Sequence, residues 1–415
     1  ILEFFYSVEK PEDLADEHAF AQRCVPYIEV DLIDDLDKLE TVLLSGVLVL
    51  VVDGFSRAIA IDARTYPQRE TSEPEKDKTL RGSRDGFVET LVANTALIRR
   101  RIRSRSLTME IHTVGELSRT DVVVCYMKDQ VDRALLQKIT DKLQSVRIDS
   151  LTMNQQSLVE AIYQYKWYNP FPKFKYTERP DTAASAVLEG NIVLLVDNSP
   201  SAIILPTSIF DLIEEADDYY FPPLTGTYLR LSRYVIMLMT LLITPLWLLA
   251  LQNPEALPEG LRFLLIEDEI HVPVILQLLL LELAIDGLRL ASLNTPNVLT
   301  TSLSIIGAVI LGDFAVQSGW FSPQSLVYMA FVGIANYSQP SLELGYSLKF
   351  MRMLLLILTA LFNYWGFAAG LVLIFVLLAL NKTFSGKSYL YPLIPFHGRA
   401  LVKKLFRTRL SQNGR

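Results

Sequence analysis

The chain has 415 residues, a formal net charge of −7 and two cysteines, Cys24 and Cys125. Two cysteines without metal-ligand spacing exclude a disulfide-stapled secreted domain and fit a reducing compartment. Most charges lie before residue 230, whereas residues 234–381 are largely apolar. We therefore predict an α+β soluble region of two related subdomains, followed by a polytopic α-helical membrane domain.

The composition divides the chain into four segments. Residues 1–106 are predicted to form a first α/β subdomain with a charged connector, and 107–228 a second one. Residues 229–381 are predicted to form the helical transmembrane domain, and 382–415 a basic cytoplasmic tail. No secretory signal precedes the soluble region, so we expect it to stay on the cytoplasmic side.

An internal repeat supports two related subdomains. Leu44–Asp62 and Leu188–Pro206 align without a gap, 144 residues apart, with eight of nineteen positions identical. Each copy reads as a buried strand, a turn containing Asp53 or Asp197, and a second strand, which is a hairpin pattern. Chance similarity between two valine-rich hairpins is the alternative.

A helical pattern between the repeats ends in a run of arginines. Apolar residues recur at helical spacing over residues 85–102. The cluster at its end has two interpretations, a salt-bridged helix end or a contact with lipid headgroups or a neighbouring subunit. The cluster consists of Arg99, Arg100, Arg101, Arg103 and Arg105.

The sequence contains no pattern typical of an enzyme. None of the four histidines is spaced as a metal-ligand pair, and there is no glycine-rich phosphate loop or nucleophile elbow. We expect no catalytic residue, no metal and no cofactor.

The apolar region divides into six candidate spans, with both chain ends in the cytoplasm because lysine and arginine cluster on one side. The spans are approximately 234–251, 271–292, 297–319, 322–337, 346–362 and 367–380. The turn Asn363–Gly366 is the weakest break, and five spans result if the last two form one bent helix.

Span two carries Glu282, Asp286 and Arg289, which share one helical face. Charges at membrane depth are costly and rarely face lipid. The three residues can partly neutralise one another along the helix, which favours a structural or gating clamp over an ion conduit. We therefore expect Glu282→Gln to reduce assembly or gating more than ion selectivity.

Span three is rich in small and polar residues and is the predicted pore wall, with close helix packing as the alternative. The pore-lining candidates are Thr300, Thr301, Ser304, Gly307 and Asp313. The chain after Leu344 has no acidic residue. Its basic tail, including Lys403 and Lys404, is predicted to contact anionic lipid or a neighbouring subunit, and nucleic-acid binding is disfavoured because the tail follows an apolar helix.

Four distinctive stretches are EPEKDKTLRGSRDGFVETLVANTALIRRRI, PFPKFKYTERPD, DDYY and SIIGAVILGDFAVQSG. In these stretches the chain resembles the A subunit family of bacterial spore germinant receptors, the GerA family. AIDGLRLASLNTPN and SGKSYLYPLIPFHGRAL are more similar to a branch of sporulation proteins. Nutrient-receptor subunits usually carry Arg-Glu-Ala-Gly in span two, closed by a proline. Here Ala284–Gly287 and Ala291 stand at those positions, which argues against direct nutrient signalling.

The resemblance implies a multi-pass protein of the spore inner membrane that assembles as a homo-oligomeric, pentameric channel for monovalent cations. It also implies an amplifier of germination that works with a small multi-span membrane partner and other germination receptor proteins. The alternatives are a non-conducting scaffold or signalling subunit that docks germination partners and, less favoured, a transporter, since the spans show no inverted repeat.

Overall fold

The structure is a computed structural model, and it describes Tyr6, Val8, Leu14 and residues 16–63, 69–74, 77–266, 270–294 and 315–407. The chain forms two compact units, residues 1–69 and 70–415, which are described separately.

The first unit is a small α/β unit. Helix α1 (Glu17–Cys24) is followed by strand β1 (Val30–Ile33), helix α2 (Leu36–Leu44) and strands β2 (Leu48–Leu50) and β3 (Ala58–Ile61). The three strands form an antiparallel sheet in the order β1-β3-β2. Phe20 of α1 packs against Ile59 and Ile61 of the central strand in a small apolar core.

The second unit contains a larger antiparallel sheet. Its elements are α3 (Leu91–Arg101), β4 (Leu107–Val114), β5 (Thr120–Met127), α4 (Arg133–Ser145), α5 (Asn154–Ile162), β6 (Lys175–Thr177), α6 (Pro180–Leu188), β7 (Ile192–Val196) and β8 (Ala202–Leu205). The strand order is β4-β5-β7-β8-β6. The helices α4 and α5 cover one face of the sheet. The helices α3 and α6 cover the other.

Both predicted hairpins are confirmed, and they share one register. Leu48 pairs with Ile61 in the first unit, and Ile192 pairs with Leu205, 144 residues later, in the second. The equivalence extends beyond the predicted repeat, because β1 and β6 pair with the same edge of their hairpins and α2 and α6 span equivalent residues. Gly46 and Gly190 follow the two helices with φ of 85° and 90°, the left-handed conformation that ends a helix. The repeat is therefore a β-α-β-β unit.

The predicted boundary at residue 106 falls inside the second unit, which begins at Glu70. Phe87, Leu91 and Ile98 are buried in the core that includes β5 and α6. The arginine-rich helix thus belongs to the second sheet, because its apolar face covers that sheet.

Helices make up most of the chain after residue 206. They are α7 (Ile209–Ile213), α8 (Asp217–Tyr220), α9 (Pro223–Gln252), α10 (Val274–Asn294), α11 (Ala315–Gln317), α12 (Pro323–Tyr337), α13 (Leu342–Leu380) and α14 (Gly398–Leu405). Two of the described helices, Pro223–Gln252 and Leu342–Leu380, are long and apolar enough to cross a membrane by length and composition. The predicted third span, 297–319, lies mostly outside the described residues.

Helix α13 folds back on itself at Asn363, which has φ 54° and ψ −130°. The two arms pack closely, since a Cβ built on Gly366 would lie 1.8 Å from the Leu358 carbonyl oxygen. Leu355 and Ile374, one from each arm, share an apolar core. The break predicted at residues 363–366 is thus confirmed, and the last apolar segment is a helical hairpin.

The beginning of the predicted basic tail returns to the second sheet. Phe384 is 2% exposed and packs in the core with Tyr163 and Phe174. Lys138 donates a hydrogen bond to the Phe384 carbonyl oxygen at 2.7 Å. Lys173 donates to Lys382 O at 2.6 Å, and burial lowers the pKa of Lys173 to about 8. This part of the tail is therefore a structural element of the α/β region, because it packs in the core of the second sheet.

Candidate functional site

A buried ionic contact joins α10 to α13. Glu282 and Arg352 are 3% and 1% exposed, and Arg352 Nε lies 2.7 Å from Glu282 Oε1. Arg352 Nη1 also donates to the Thr240 carbonyl oxygen of α9 at 3.0 Å. One guanidinium thus holds three apolar helices together. A buried pair of this kind is costly to break, because the remaining charge loses its partner.

A second cation of α13 completes the contact. Lys349 bonds to the Asp286 carboxylate, and its Nζ lies 3.8 Å from Glu282 Oε2. Two acidic side chains of α10 therefore face two basic side chains of α13. Their spacings, four residues on α10 and three on α13, place each pair on one face of its helix.

The acidic side chains of α10 are neutralised by Lys349 and Arg352 of α13 and not by Arg289 of their own helix. Arg289 lies over the rings of Tyr337 and Tyr346, with 4.7 Å and 5.2 Å between the guanidinium carbon and the ring centroids. It approaches aromatic faces, which attract cations. The sequence pattern did not single out Lys349 and Arg352 as partners of the acidic face. Their i, i+3 spacing opposite the acidic i, i+4 pair was the signal that could have identified them.

A neutral polar contact ties α10 to α12. Gln277 is fully buried, and its Oε1 accepts hydrogen bonds from Ser322 N at 2.9 Å and Ser325 Oγ at 2.8 Å. Its Nε2 donates to the Val272 carbonyl oxygen at 2.8 Å. The amide is satisfied on both sides, as buried polar groups require.

A second ionic network joins the base of α9 to the α/β region. Arg230 is fully buried and contacts Asp218 and Glu214, both at 3.1 Å. Arg233 contacts Asp218 at 2.7 Å and Glu215 at 2.7 Å. Asp218 is itself 0% exposed, so it bridges two arginines out of water. This base network holds α9 against the segment that leads out of the sheet.

The base network also includes α14 of the tail. Lys404 Nζ lies 2.5 Å from Asp211 and 3.0 Å from Glu214. Arg230 donates to the carbonyl oxygens of Lys403 and Lys404 at 3.2 Å each. Burial alone would raise the pKa of Glu214, but the charges of Lys404 and Arg230 lower it to about 2. Lys404, a predicted lipid contact, is thus engaged within the chain, whereas the Lys403 side chain is exposed.

Part of the predicted arginine cluster stabilises its own helix end. Arg100 bonds to Asp85, and Arg101 contacts the same carboxylate at 2.6 Å. Arg99 donates to the carbonyl oxygens of Ser104 and Leu107 at 3.1 Å. The remaining two, Arg103 and Arg105, are exposed.

The pore-lining candidates Thr300, Thr301, Ser304, Gly307 and Asp313 lie outside the described residues. Among the residues that the structure does describe, no group of three or more His, Cys, Asp or Glu is arranged to hold a metal ion. The described site is therefore a set of ionic and polar contacts between helices, suited to holding or switching their arrangement.

The chain is similar to known proteins over most of its length. A family model described as Bacillus/Clostridium GerA spore germination protein matches residues 1–415. Stage V sporulation protein AF of Bacillus subtilis (strain 168) is 40% identical over 400 residues, covering 96% of this chain and 80% of that protein. Spore germination protein KA of the same organism is 28% identical over 402 residues, covering 95% and 73%.

A solved structure is also similar in sequence. It is the N-terminal domain of the A subunit of the Bacillus megaterium spore germinant receptor GerK3, at 28% identity. The match covers 42% of this chain and 62% of that one, with a TM-score of 0.24.

Proposed function

Since the chain belongs to the Bacillus/Clostridium GerA family of spore germination proteins, we propose that it is an oligomeric ion-channel subunit of the spore inner membrane. In this proposal it promotes germination by releasing monovalent cations, with a small multi-span membrane protein and other germination receptor proteins as partners. In this proposal the oligomer is a ring of five identical subunits.

The observation that carries the proposal is the contact of Glu282 and Asp286 with Lys349 and Arg352 between apolar helices. Ionisable groups inside a helical bundle at membrane depth are expensive, and they mark ion pathways or the elements that gate them. The contact consists of two acidic and two basic side chains and has no net charge. Because Lys349 and Arg352 already pair with the two carboxylates, the contact suits a gate better than the wall of an ion-conducting pore.

The proposed topology has six spans, with the α/β units and the tail on the cytoplasmic or core side. Two observations support it. Both ends of the α13 hairpin approach the same soluble segment, because Ser347 Oγ donates to Pro170 O at 2.6 Å and Asn169 Nδ2 donates to Asn381 Oδ1 at 3.0 Å. Helix α9 begins at the base network, also beside the sheet region.

Reconstitution tests the channel. The full-length protein in potassium-loaded liposomes should release potassium, and its particles viewed down the axis should show five subunits. Substituting Thr300, Ser304 or Asp313 with apolar residues should change the flux while leaving the oligomer intact. A monomer that releases no ions would contradict the proposal.

Glu282→Gln tests the gate. It leaves Arg352 buried beside a neutral amide, so assembly or opening should fail while the potassium-to-sodium preference of residual flux is retained. The matched control is Glu255→Gln, an exposed carboxylate outside the contact. A changed ion preference with normal assembly would instead assign Glu282 to the conduction path.

The second candidate is a non-conducting scaffold. The observation that favours it is the tight attachment of the soluble region to α9 and α14 through Arg230, Asp218 and Lys404. A scaffold predicts that apolar substitution of Thr300, Ser304 or Asp313 leaves ion release from germinating spores unchanged.

A further inference from the structure

The edge of the first sheet is an unprotected strand. β2 pairs with β3 on one side, and no strand covers its other side among the residues that the structure describes. The surrounding sequence, Gly46–Val52, reads GVLVLVV and contains neither a charge nor a proline. Exposed edge strands normally carry a charged residue or a proline, which prevents pairing with other chains. The β2 edge has neither, so we expect another strand to pair with it in the assembled protein.

The duplicated unit shows what covers the same edge elsewhere in this chain. There, β7 stands in the place of β2, and β5 pairs with it from Val122↔Val196 to Cys125↔Val193. Equivalent side chains differ sharply in exposure. Val51 is 74% exposed, whereas its counterpart Leu195 is 1% exposed. The first unit thus has the acceptor edge of the second unit without its added strand.

A similar exposure separates the two helices of the duplicated units. Leu43 of α2 is 56% exposed, whereas Val187 at the same position of α6 is 0% exposed. Val187 lies in the core that α3 and β5 help to form. The uncovered surface therefore continues from the edge of β2 onto α2.

The second sheet offers a strand that can fill this place. β4 is an outer strand eight residues long, and within the described residues it pairs only with β5. Ile111 of β4 is 69% exposed, and Leu117, in the turn that follows β4, is 81% exposed. At its start, Leu107 N donates to the Ser104 carbonyl oxygen and Leu107 O accepts a hydrogen bond from Arg99. The outward main-chain groups after Leu107 have no partner among the residues that the structure describes.

The charges near the two edges are complementary. Residues 29–62, which contain β2, include eight acidic and two basic residues. The approach to β4 carries the exposed Arg103 and Arg105. Opposite charges of this kind favour encounter and fix the register of an interface. They also disfavour pairing of two copies of β2 with each other.

We propose that β2 of one copy of this chain adds to the outer edge of β4 in a neighbouring copy, joining the two sheets through main-chain hydrogen bonds. Strand addition of this type supplies affinity through the backbone and specificity through side chains on alternate positions. The two surfaces differ, so the contact is head-to-tail and can close a ring of identical subunits. The inference rests on the proposed oligomer and assigns its soluble interface.

Cysteine cross-linking between differently tagged full-length chains tests the contact. One chain carries Val51→Cys and the other Ile111→Cys, while the native Cys24 and Cys125 are 3% and 0% exposed. Mild oxidation of the co-expressed pair should give a disulfide-linked dimer with both tags. Each variant expressed alone should not give that product. Absence of the mixed dimer would overturn the proposal.

The double variant Val51→Cys/Ile111→Cys separates pairing between copies from pairing within one chain. Head-to-tail pairing predicts a ladder of linked multimers. A product consisting only of internally closed monomers would overturn the proposal and assign the β2 edge to β4 of the same chain.

A charge at the edge gives an independent measurement. Val51→Lys should weaken self-association by roughly tenfold or more, because the interface would desolvate an unpaired ammonium. Val92→Lys is the matched control, since Val92 is 76% exposed on α3 and belongs to neither β2 nor β4. An unchanged oligomer in Val51→Lys would contradict the contact.

Cross-linking does not depend on conduction. Linked multimers without ion flux would support this interface and contradict the channel. Ion flux without mixed dimers would support the channel and contradict this interface.

Discussion

At the scale of single residues, ionic contacts define how the helices meet. Glu282 and Arg352 are buried together, as are Asp218 and Arg230. Each arginine is held additionally by main-chain carbonyl oxygens. These additional hydrogen bonds reduce the cost of burying each guanidinium, because a carboxylate alone cannot accept from all of its N–H donors.

The lowered pKa of Glu214 predicts a pH-dependent stability. Its folded pKa of about 2 lies below the ordinary 4.5. The ionised carboxylate therefore stabilises the fold above pH 4.5, and this stability is lost as the pH falls from 4.5 towards 2. Lys404→Met should raise the Glu214 pKa, lower the stability at pH 7 by on the order of 2 kcal/mol, and flatten the acid side of the profile.

Thermal unfolding in detergent at several pH values would measure this effect. Lys403→Met is the matched control, since it removes the neighbouring, exposed ammonium. Superimposable profiles for Lys404→Met and the unchanged protein would show that the base network contributes nothing at this position.

Sequence patterns identified only part of the residue-scale site. The charged face of α10 follows from helical spacing, so Glu282, Asp286 and Arg289 could be grouped. Their partners could not, because Lys349 and Arg352 are more than 60 residues away and only tertiary packing brings them close. Helical spacing links residues within a turn or two and is silent on which face meets which.

At the scale of elements, the α13 hairpin depends on the absence of a side chain at one position. Gly366→Ala would place a methyl group 1.8 Å from the Leu358 carbonyl oxygen, part of the backbone of the other arm. The arms must separate, which should cost about 1–3 kcal/mol. Gly370→Ala is the control, because its nearest contact is the flexible end of Leu355.

Measuring the thermal unfolding temperatures of the two variants in detergent would test this prediction. Gly366→Ala should unfold at a clearly lower temperature than Gly370→Ala. Equal temperatures would show that the arms adjust without loss.

Strands and turns were the most predictable elements. The hairpin of residues 188–206 follows from a buried apolar run, an Asp-containing turn and a second run, and β7 and β8 occupy these places. The start of α9 was not predictable from hydropathy. It begins at Pro223, eleven residues before the apolar stretch, because the base network buries Arg230 and Arg233 inside its first turns.

At the scale of the whole molecule, the tail contributes to the α/β core of the second unit. Phe384 lies 5.8 Å from Phe174 and 6.2 Å from Tyr163 between ring centroids. Phe384→Ala should reduce the free energy of unfolding by about 3–5 kcal/mol, the usual cost of removing a buried ring. Phe396→Ala, at a 71% exposed position, should have little effect.

Hydrogen exchange of the amides in β7 and α5 would report the loss directly, because these elements belong to the same core. Unchanged protection in Phe384→Ala would mean that the tail rests on the sheet without stabilising it.

The predicted order, an α/β region followed by a helical one, is confirmed. It could not predict the boundary of the first unit at residue 69 or the return of the tail. Both depend on which apolar faces cover one another over long sequence distances. A basic stretch with scattered aromatic residues has the sequence pattern of a surface anchor, and that pattern does not reveal whether one of its rings is buried.

The return of Phe384 sets an order of events during synthesis. The ribosome completes β8 at Leu205 almost 180 residues before it reaches Phe384. All helices from α9 to α13 are made in between. Until the last of them has been synthesised, Tyr163 and Phe174 lack the Phe384 ring that packs beside them. A nascent chain arrested before Phe384 would therefore expose aromatic surface on its α/β region, where chaperones and proteases can recognise it.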